Sequence, residues 1–409
     1  MSTSTRRHRP PSPADELWAS RRRHPTARPA PTQRRSKTYA GLLAIIAVLI
    51  LLGLVMVLSA SSVVALDDYG SSWYVLTRQA LWVTVGTVAC VIVLRVDYHR
   101  WRRLAAPALF VSGVLLALVL VPGVGLQVNG ASRWLGYGPV SLQPSELAKL
   151  TLLLFVADLL ARRAAWMDDN RLTLRPVMVV LVVIAALVMA QPNLGTTLLL
   201  GAIVLSMLWV AGTPLIPLTA VAAAGAIVAA GLALWAPYRR ARVLAFLDPM
   251  ADYQNGGYQN VQSLVGVASG GITGSGLGES RAKWGFLPEA HTDFIFAIIG
   301  EELGLIGALV VVALFMALCV LGARAALLAP DRFGMLLAAG VTVWFGVQAF
   351  VNIGAVIGIL PITGVPLPFV SYGGSSLLFS MIGAGLLLNV ARQAQLPDAP
   401  RRRAAPPTR

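Results

Sequence analysis

The sequence predicts an all-α polytopic membrane protein of about ten transmembrane helices, with a large extracytoplasmic loop between the seventh and the eighth. Three observations predict it. The 409 residues are 56% hydrophobic and only 12% charged, with a mean hydropathy of +0.71, about half the charge of a soluble domain. Long apolar runs recur, such as "GLLAIIAVLILLGLVMVLSA" from Gly41, and about 20 such residues cross a hydrocarbon core of about 30 Å. The runs do not alternate polar and apolar residues as the strands of a membrane β-barrel do.

In chain order the spans fall near 40–64, 73–94, 104–123, 145–161, 175–191, 194–211, 214–236, 292–322, 334–360 and 370–391. Basic residues in short loops orient them. Arg95, Arg100, Arg102 and Arg103 follow the second span, Arg162, Arg163, Arg171 and Arg175 the fourth, and Arg324 and Arg332 the eighth. With an even count, these loops and both termini share the cytoplasmic side. The first apolar run reads as a retained helix: its basic approach is too long for a cleavable signal, and no small-residue cleavage site closes it.

The net charge of +15 does not mark a nucleic-acid binder. Residues 1–39 hold ten Lys or Arg against two acids, and residues 397–409 hold four Arg against one Asp, so the excess sits in two Pro-rich ends. Segments 1–39 and 393–409 read as disordered basic cytoplasmic tails facing anionic lipid, and 40–392 as the membrane domain. Cys90 and Cys319 lie in apolar runs and read as small core residues, not a disulfide or a zinc site. His8, His24 and His99 sit in basic cytoplasmic segments, and no HxxEH or CxxC spacing occurs.

Two outer loops follow from this topology. One is "VNGASRWLGYGPVSLQPSE", residues 128–146; the larger covers about 237–291 and is rich in glycine, aromatic and aliphatic residues. That composition describes a loop packed on the bundle, with short helices or re-entrant pieces. The shorter "QPNLG" and "LPITGVPLPFVSYGGSS" are also rich in Pro and Gly. Broken backbone at membrane depth survives only where protein buries it or where it lines a wet cavity, so the four segments are expected to converge on one outward-facing cavity.

Charge concentrates around them. In "QPSELAKL", Pro144 suits a first helical turn, Gln143 or Ser145 a cap, and Glu146 and Lys149 share one face at i, i+3. They read either as an ion pair at a helix end or as a buried pair orienting a polar substrate. In "LPEAHTDFIFAIIGEELG", Thr292 is a candidate N-cap, Asp293 falls in the first turn beside Glu289 and His291, and Glu301 and Glu302 lie deeper. Asp293 has three readings: a helix cap, a proton-relay acid, or a general base for an acceptor hydroxyl. Glu301 and Glu302 are expected to pair with bases on neighbouring helices. Arg133, Arg239, Arg240, Arg242, Arg281 and Lys283 put positive charge on the outer face, against the positive-inside tendency; they read either as a site for an anionic ligand group such as phosphate or as loop residues meeting lipid headgroups. "SYGGSS", with Ser371, offers hydroxyls and backbone N–H groups at a helix N-terminus.

The strings "GGITGSGLGESRAKWGFLPEAHTDFIFAIIGEELG", "NGASRWL", "QPSELAK" and "GVPLPFVSYGGSS" resemble the SEDS family of bacterial membrane proteins over about residues 40–392. Within it, "KWGFLPEAHTDFIFAIIGEELG" is closer to the cell-division branch than to the elongation branch. The resemblance implies a ten-helix peptidoglycan glycosyltransferase of the plasma membrane, at the division septum. Its substrate would be lipid II, a disaccharide-pentapeptide on undecaprenyl diphosphate. Its partners would be a class B penicillin-binding transpeptidase and other divisome membrane proteins. The family's catalytic acid falls on Asp293, its charged pair on Glu146 and Lys149, and its loop tryptophan on Trp134. Where the family usually reads "QPDLG", this chain has Asn193.

The expected chemistry is an inverting transfer. Asp293 takes the proton of the acceptor hydroxyl. Arg133, Lys283, Glu289, His291 and Ser371 join Trp134, Glu146 and Lys149 as the substrate-binding set. The leaving diphosphate is stabilised by outer-loop Arg and Lys, or by a divalent cation (Mg or Mn) held by carboxylates. Two alternatives stand: a lipid II flippase, which needs a polar path to the cytoplasmic side, and a non-catalytic divisome scaffold, which needs no base.

Overall fold

The computed structural model describes residues 37–394 except 129, 138–139 and 252–256. The expected basic tails lie almost entirely outside the described residues. Ten helices match the ten expected spans in order: α1 (Lys37–Tyr69), α2 (Tyr74–Arg95), α3 (Tyr98–Val119), α4 (Pro144–Arg162), α5 (Leu174–Ala190), α6 (Leu194–Val210), α7 (Leu215–Trp235), α10 (Ile295–Leu327), α11 (Arg332–Val356) and α12 (Gly374–Gln393). Seven of them are long and apolar enough to cross a membrane, and α5 and α6 are shorter apolar helices. Between α7 and α10 the described part of the large loop carries α8 (Pro237–Leu247), α9 (Tyr258–Ser269) and a π-turn at Ala282–Phe286.

One element departs from the all-helical expectation. Residues 126–142 form an antiparallel meander of β1 (Leu126–Val128), β2 (Ala131–Tyr137) and β3 (Val140–Leu142), with Leu126 opposite Trp134 and Leu135 opposite Leu142.

Local chemistry sets the helix starts. Pro144 opens α4, where its missing N–H is not needed. Asp97, Asn193 and Asp331 cap α3, α6 and α11 by accepting backbone N–H bonds from His99, Thr196 and Gly334. Asn193 thus has a plain structural task here. The helices α4, α11 and α12 form the buried centre, whereas α7 is almost wholly exposed. Small residues bring helices together: Gly385 of α12 lies against the Cys90 carbonyl of α2.

The bundle has two distinct ends. At one, Asp158 of α4 pairs with Arg102 and Arg162, Tyr98 donates to Asp331 at 2.5 Å, and Arg332 donates to the Ala211 carbonyl at 2.5 Å. This end gathers the short, arginine-rich connections. The other gathers the meander, the turn before α6, the large loop and the segment before α12.

Helix α10 is broken at Gly304, whose φ is +66°. The chain at 271–276 inserts into the break: Leu305 and Ile306 N–H donate to the Gly271 and Ile272 carbonyls, while Ser275 and Gly276 N–H donate to those of Glu301 and Glu302. The freed backbone groups are satisfied inside protein, as a membrane requires.

Candidate active site

A cavity of about 610 Å³ opens at the loop-bearing end. All four segments rich in Pro and Gly reach it. Arg133 and Trp134 come from β2, Asn193 from the turn before α6, Arg239 and Arg242 from α8, and Glu289 and Asp293 from the approach to α10. Thr363, Gly364, Tyr372 and Gly373 come from the segment between α11 and α12, and α2 adds Arg78 and Trp82. Arg133 is fixed by donating to the carbonyls of Gln191 and Pro192 at 2.9 and 2.6 Å.

Asp293 stands two residues before α10, not in its first turn, and Thr292 is not the N-cap. The reason is a tight turn at Glu289, whose backbone is left-handed at φ +57°. Its carbonyl accepts the N–H groups of Thr292, Asp293 and Phe294, so those donors need no side-chain cap. The Asp293 carbonyl is held by Asn352 Nδ2 at 2.8 Å, and the same amide holds the Val365 carbonyl at 2.9 Å. The half-buried side chain faces the cavity beside Gly364. Burial, reinforced by the Glu289 charge, pushes its carboxyl up to about 6, against the opposing pull of Arg242 and Arg133. A carboxylate tuned this way accepts a proton near neutral pH.

The other expected residues divide in two. Arg133, Trp134 and Glu289 line the cavity with Asp293; Glu146, Lys149, Lys283, His291 and Ser371 do not. Glu146 and Lys149 pair at 2.8 Å, fully buried, and Lys149 also donates to Gln348 at 2.9 Å. Lys283 turns into its own loop and donates to the Gly278 carbonyl. The His291 ring is tilted against Tyr372 at 5.5 Å, its carbonyl accepts the Tyr372 N–H at 2.9 Å, and burial pushes its imidazole down, towards the neutral form. Ser371 is buried, its hydroxyl accepting the Leu367 N–H at 2.8 Å to close a turn.

Among the described residues Glu301 and Glu302 do not meet basic side chains. Glu301 accepts from Ser280 Oγ at 2.5 Å and Arg281 N–H at 2.8 Å, and Glu302 from Ser59 Oγ at 2.6 Å. Neutral donors satisfy both carboxylates, which pin the large loop to α10.

Sequence reasoning missed Arg78, Trp82, Gln348 and Asn352. Arg78 sits at the outer end of the second span, where a positive charge opposes the positive-inside tendency; that was its available signal. Trp344, Gln348 and Asn352 recur every four residues in an apolar helix, a polar stripe at membrane depth. Gln348 accepts from Trp344 Nε1 at 2.7 Å and donates to the Pro366 carbonyl at 2.8 Å.

A divalent cation would find its protein donors here in carboxylates, since Mg²⁺ is commonly held by one or two of them together with substrate phosphates. The cavity wall offers two carboxylates, Glu289 and Asp293, and among the described residues no three His, Cys, Asp or Glu gather where they could hold a metal. The wall itself supplies the positive charge of Arg78, Arg133, Arg239 and Arg242.

Residues 40–396 match the cell cycle protein family of FtsW, RodA and SpoVE. A probable peptidoglycan glycosyltransferase FtsW of Geobacter metallireducens is 43% identical over 339 residues, 83% of this chain and 90% of that one. Another of Mycobacterium tuberculosis is 46% identical over 86% of this chain and 67% of its own. Stage V sporulation protein E of Bacillus subtilis is 40% identical over 88% and 99%. Among solved structures, one from work on the structural coordination of polymerization and crosslinking by a peptidoglycan synthase complex superposes with a TM-score of 0.71 and 31% identity, covering 86% of this chain and 97% of that one. The crystal structure of the rod shape determining protein RodA of Thermus thermophilus gives 0.66 and 29%, covering 90% and 100%. With its apolar helices and this similarity over nearly the whole described length, the chain is a multi-pass membrane protein that belongs to the FtsW/RodA/SpoVE family.

Proposed function

We infer that this protein is a peptidoglycan glycosyltransferase that polymerises lipid II during septal wall synthesis, with Asp293 as general base. One observation carries the assignment of the base: a carboxyl held near pKa 6 in a cavity walled by arginines. The names of its relatives supply the activity, and the site supplies groups that fit it.

In the proposed step the acceptor's 4-hydroxyl gives its proton to the Asp293 carboxylate as its oxygen bonds to C1 of the donor sugar. The C1–O bond to the diphosphate breaks, and its electron pair stays on the diphosphate. A single displacement converts an α-linked diphosphate into a β-1,4 link. Arg133 and Arg242, whose charges reach Asp293, stabilise the negative charge that develops on the leaving group. Trp134 offers a face for a sugar ring or for the lipid. Asn352 and the Glu289 turn fix the base before substrate arrives, which is where much of the advantage of a bound geometry lies.

The prenyl tail stays in the bilayer, which accounts for a catalytic cavity on a membrane bundle. The reading includes ten spans, both termini in the cytoplasm and the cavity on the outer side. The concentration of arginine-rich short connections at the opposite end supports that orientation. A class B penicillin-binding transpeptidase is the partner we assign, by likeness to the synthase complex; other divisome proteins and anionic lipids are further assigned contacts. The flippase alternative lacks support in the cavity, whose lining residues come from the loop-bearing end.

The test is polymerisation of purified lipid II with the transpeptidase present. Wild type should give long glycan strands, and D293A none while remaining inserted and folded. Equal polymer from both removes Asp293 from the mechanism. No polymer from wild type beside an active transpeptidase overturns the activity.

A further inference from the structure

The arginines of the cavity stand on different elements: Arg133 on β2, bonded to the Gln191 and Pro192 carbonyls of the turn before α6, Arg239 and Arg242 on α8, and Arg78 on α2. Arg133 and Arg242 act on Asp293. Arg78 lies elsewhere on the wall: its guanidinium stands 5.8 Å from the Tyr74 ring centre, and its charge reaches Tyr372. The side chain at 78 therefore belongs to a separate group built by α2 and the segment before α12.

That group is tied down. Gln79, buried next to Arg78, donates to the Ser371 carbonyl at 3.3 Å and accepts the Gly373 N–H at 3.5 Å. Trp82 packs so closely on Gly374 that a Cβ there would collide with its indole. Tyr372 joins the group to the catalytic segment through His291, which stands two residues before Asp293.

Polymerisation brings two prenyl diphosphates to one cavity. The donor's diphosphate is bonded to the carbon under attack, so it lies close to the base and just beyond the incoming hydroxyl. The acceptor's hydroxyl also meets the base, but its own diphosphate is at the far end of its disaccharide. A site for both substrates therefore needs a cationic group beside the base and another set apart from it, at the membrane edge.

We propose that Arg78, with Trp82 and Tyr372, forms a second diphosphate subsite that holds the acceptor's prenyl diphosphate, while Arg133 and Arg242 face the one that departs. Arg78 supplies the bidentate cation that phosphate oxygens favour. Trp82 and Tyr372 supply flat faces against which the first sugar or the first isoprene unit rests. The proposal rests on the glycosyltransferase reading above and adds to it which arginine serves which substrate.

Bound undecaprenyl diphosphate is counted per chain in detergent by native mass spectrometry. Wild type is expected to hold two equivalents, R78Q one and R78K two. In polymerisation, R78Q should need at least about tenfold more lipid II for half-maximal rate, the loss expected when a charged hydrogen bond is removed. One equivalent in wild type, two in R78Q, or none in R78Q overturns the proposal, the last because it makes Arg78 part of a single shared site. Equal displacement of the second equivalent by phosphatidylglycerol overturns it too, since the subsite is then a phospholipid headgroup site. The count does not depend on turnover. Two equivalents without polymer would overturn the glycosyltransferase reading alone; one equivalent with active polymerisation would overturn the subsite alone.

Discussion

Lys149 Nζ stands 2.9 Å from Gln348 Oε1, one turn of α11 before Asn352, whose amide holds the carbonyl of Asp293. A buried ion pair on α4 is thereby linked, through two side chains of one helix, to the backbone of Asp293 and to the segment at Val365 and Pro366. Glu146 and Lys149 are in place to support the site without touching the cavity.

This makes the pair's contribution structural first. K149M leaves Glu146 as an uncompensated buried charge, a loss of about 3–5 kcal/mol. Unfolding in detergent should show it as a large drop in melting temperature, and E146Q combined with K149M should recover much of it. Single variants that melt like wild type but need more lipid II would instead place the pair against substrate.

Gln348 separates support from charge. Q348L keeps the Glu146–Lys149 pair but removes the bonds Gln348 accepts from Lys149 and Trp344 and the one it donates to the carbonyl of Pro366, which lines the cavity with Gly364. Displacement of a catalytic loop by about 1 Å can lower the rate by about a hundredfold. The expected result is a ten- to hundredfold fall in kcat with KM little changed. A variant with raised KM and unchanged kcat would show that Gln348 serves binding.

Asn352 gives the sharper test, because N352D is nearly isosteric. It replaces the NH2 that serves two carbonyls with an oxygen that repels both. Each buried carbonyl left without a donor loses about 1–3 kcal/mol. N352D is therefore expected to lower kcat at least as far as N352A does, although it fills the space better. Steady-state kinetics at matched expression decide it, and activity in N352D above that of N352A would rule the clamp out.

Gly304 holds the break in α10 in a backbone region open only to glycine, and an added Cβ would lie 2.5 Å from the Ile272 carbonyl oxygen. G304A should destabilise the fold by about 3 kcal/mol or more and release the loop pinned by Glu301 and Glu302. Limited proteolysis within 270–290, faster in the variant than in wild type, is the measurement; an unchanged cleavage rate and melting point would refute it.

The spans were legible because hydropathy is a local sum. The run from Leu215 to Trp235 names itself as a helix whatever it packs against. The meander was less so, since its strands are short; the Asn-Gly pair at 129–130 is the hairpin signal they carry. The break at Gly304 is hidden, because hydropathy averages across it and only the inserted 271–276 chain explains it. Of the cavity's arginines, Arg133, Arg239 and Arg242 stood out as charges on the wrong side of a membrane, whereas Arg78, inside an apolar span, did not; Asp293 stood out as an acid beside an apolar run. Gln348 and Asn352 did not, because their partners Lys149, Pro366, Val365 and Asp293 come from distant parts of the chain. For the same reason Lys283 and Ser371 looked available when each is consumed by its own loop.

Asp293 itself couples activity to stability in opposite directions. Its carboxyl is raised from about 3.8 to about 6 in the folded protein. Between those values the native state binds more protons than the unfolded state, so stability falls as pH rises through the window and stays lower above it. Two units correspond to at most about 3 kcal/mol. Catalysis runs the other way, since only the ionised form accepts the acceptor's proton: kcat/KM should rise tenfold per pH unit below about 6 and level off above it. D293N removes the ionisation. It should lose at least about a hundredfold in rate, the usual share of a general base, yet melt higher than wild type at pH 7.5, with the difference vanishing near pH 4. A carboxylate kept for capping or for an ion pair would give the reverse, a D293N protein less stable at neutral pH. Melting curves of both proteins at pH 4 and 7.5, set beside the pH–rate profile of the wild type, separate a base held at a loss from a structural acid.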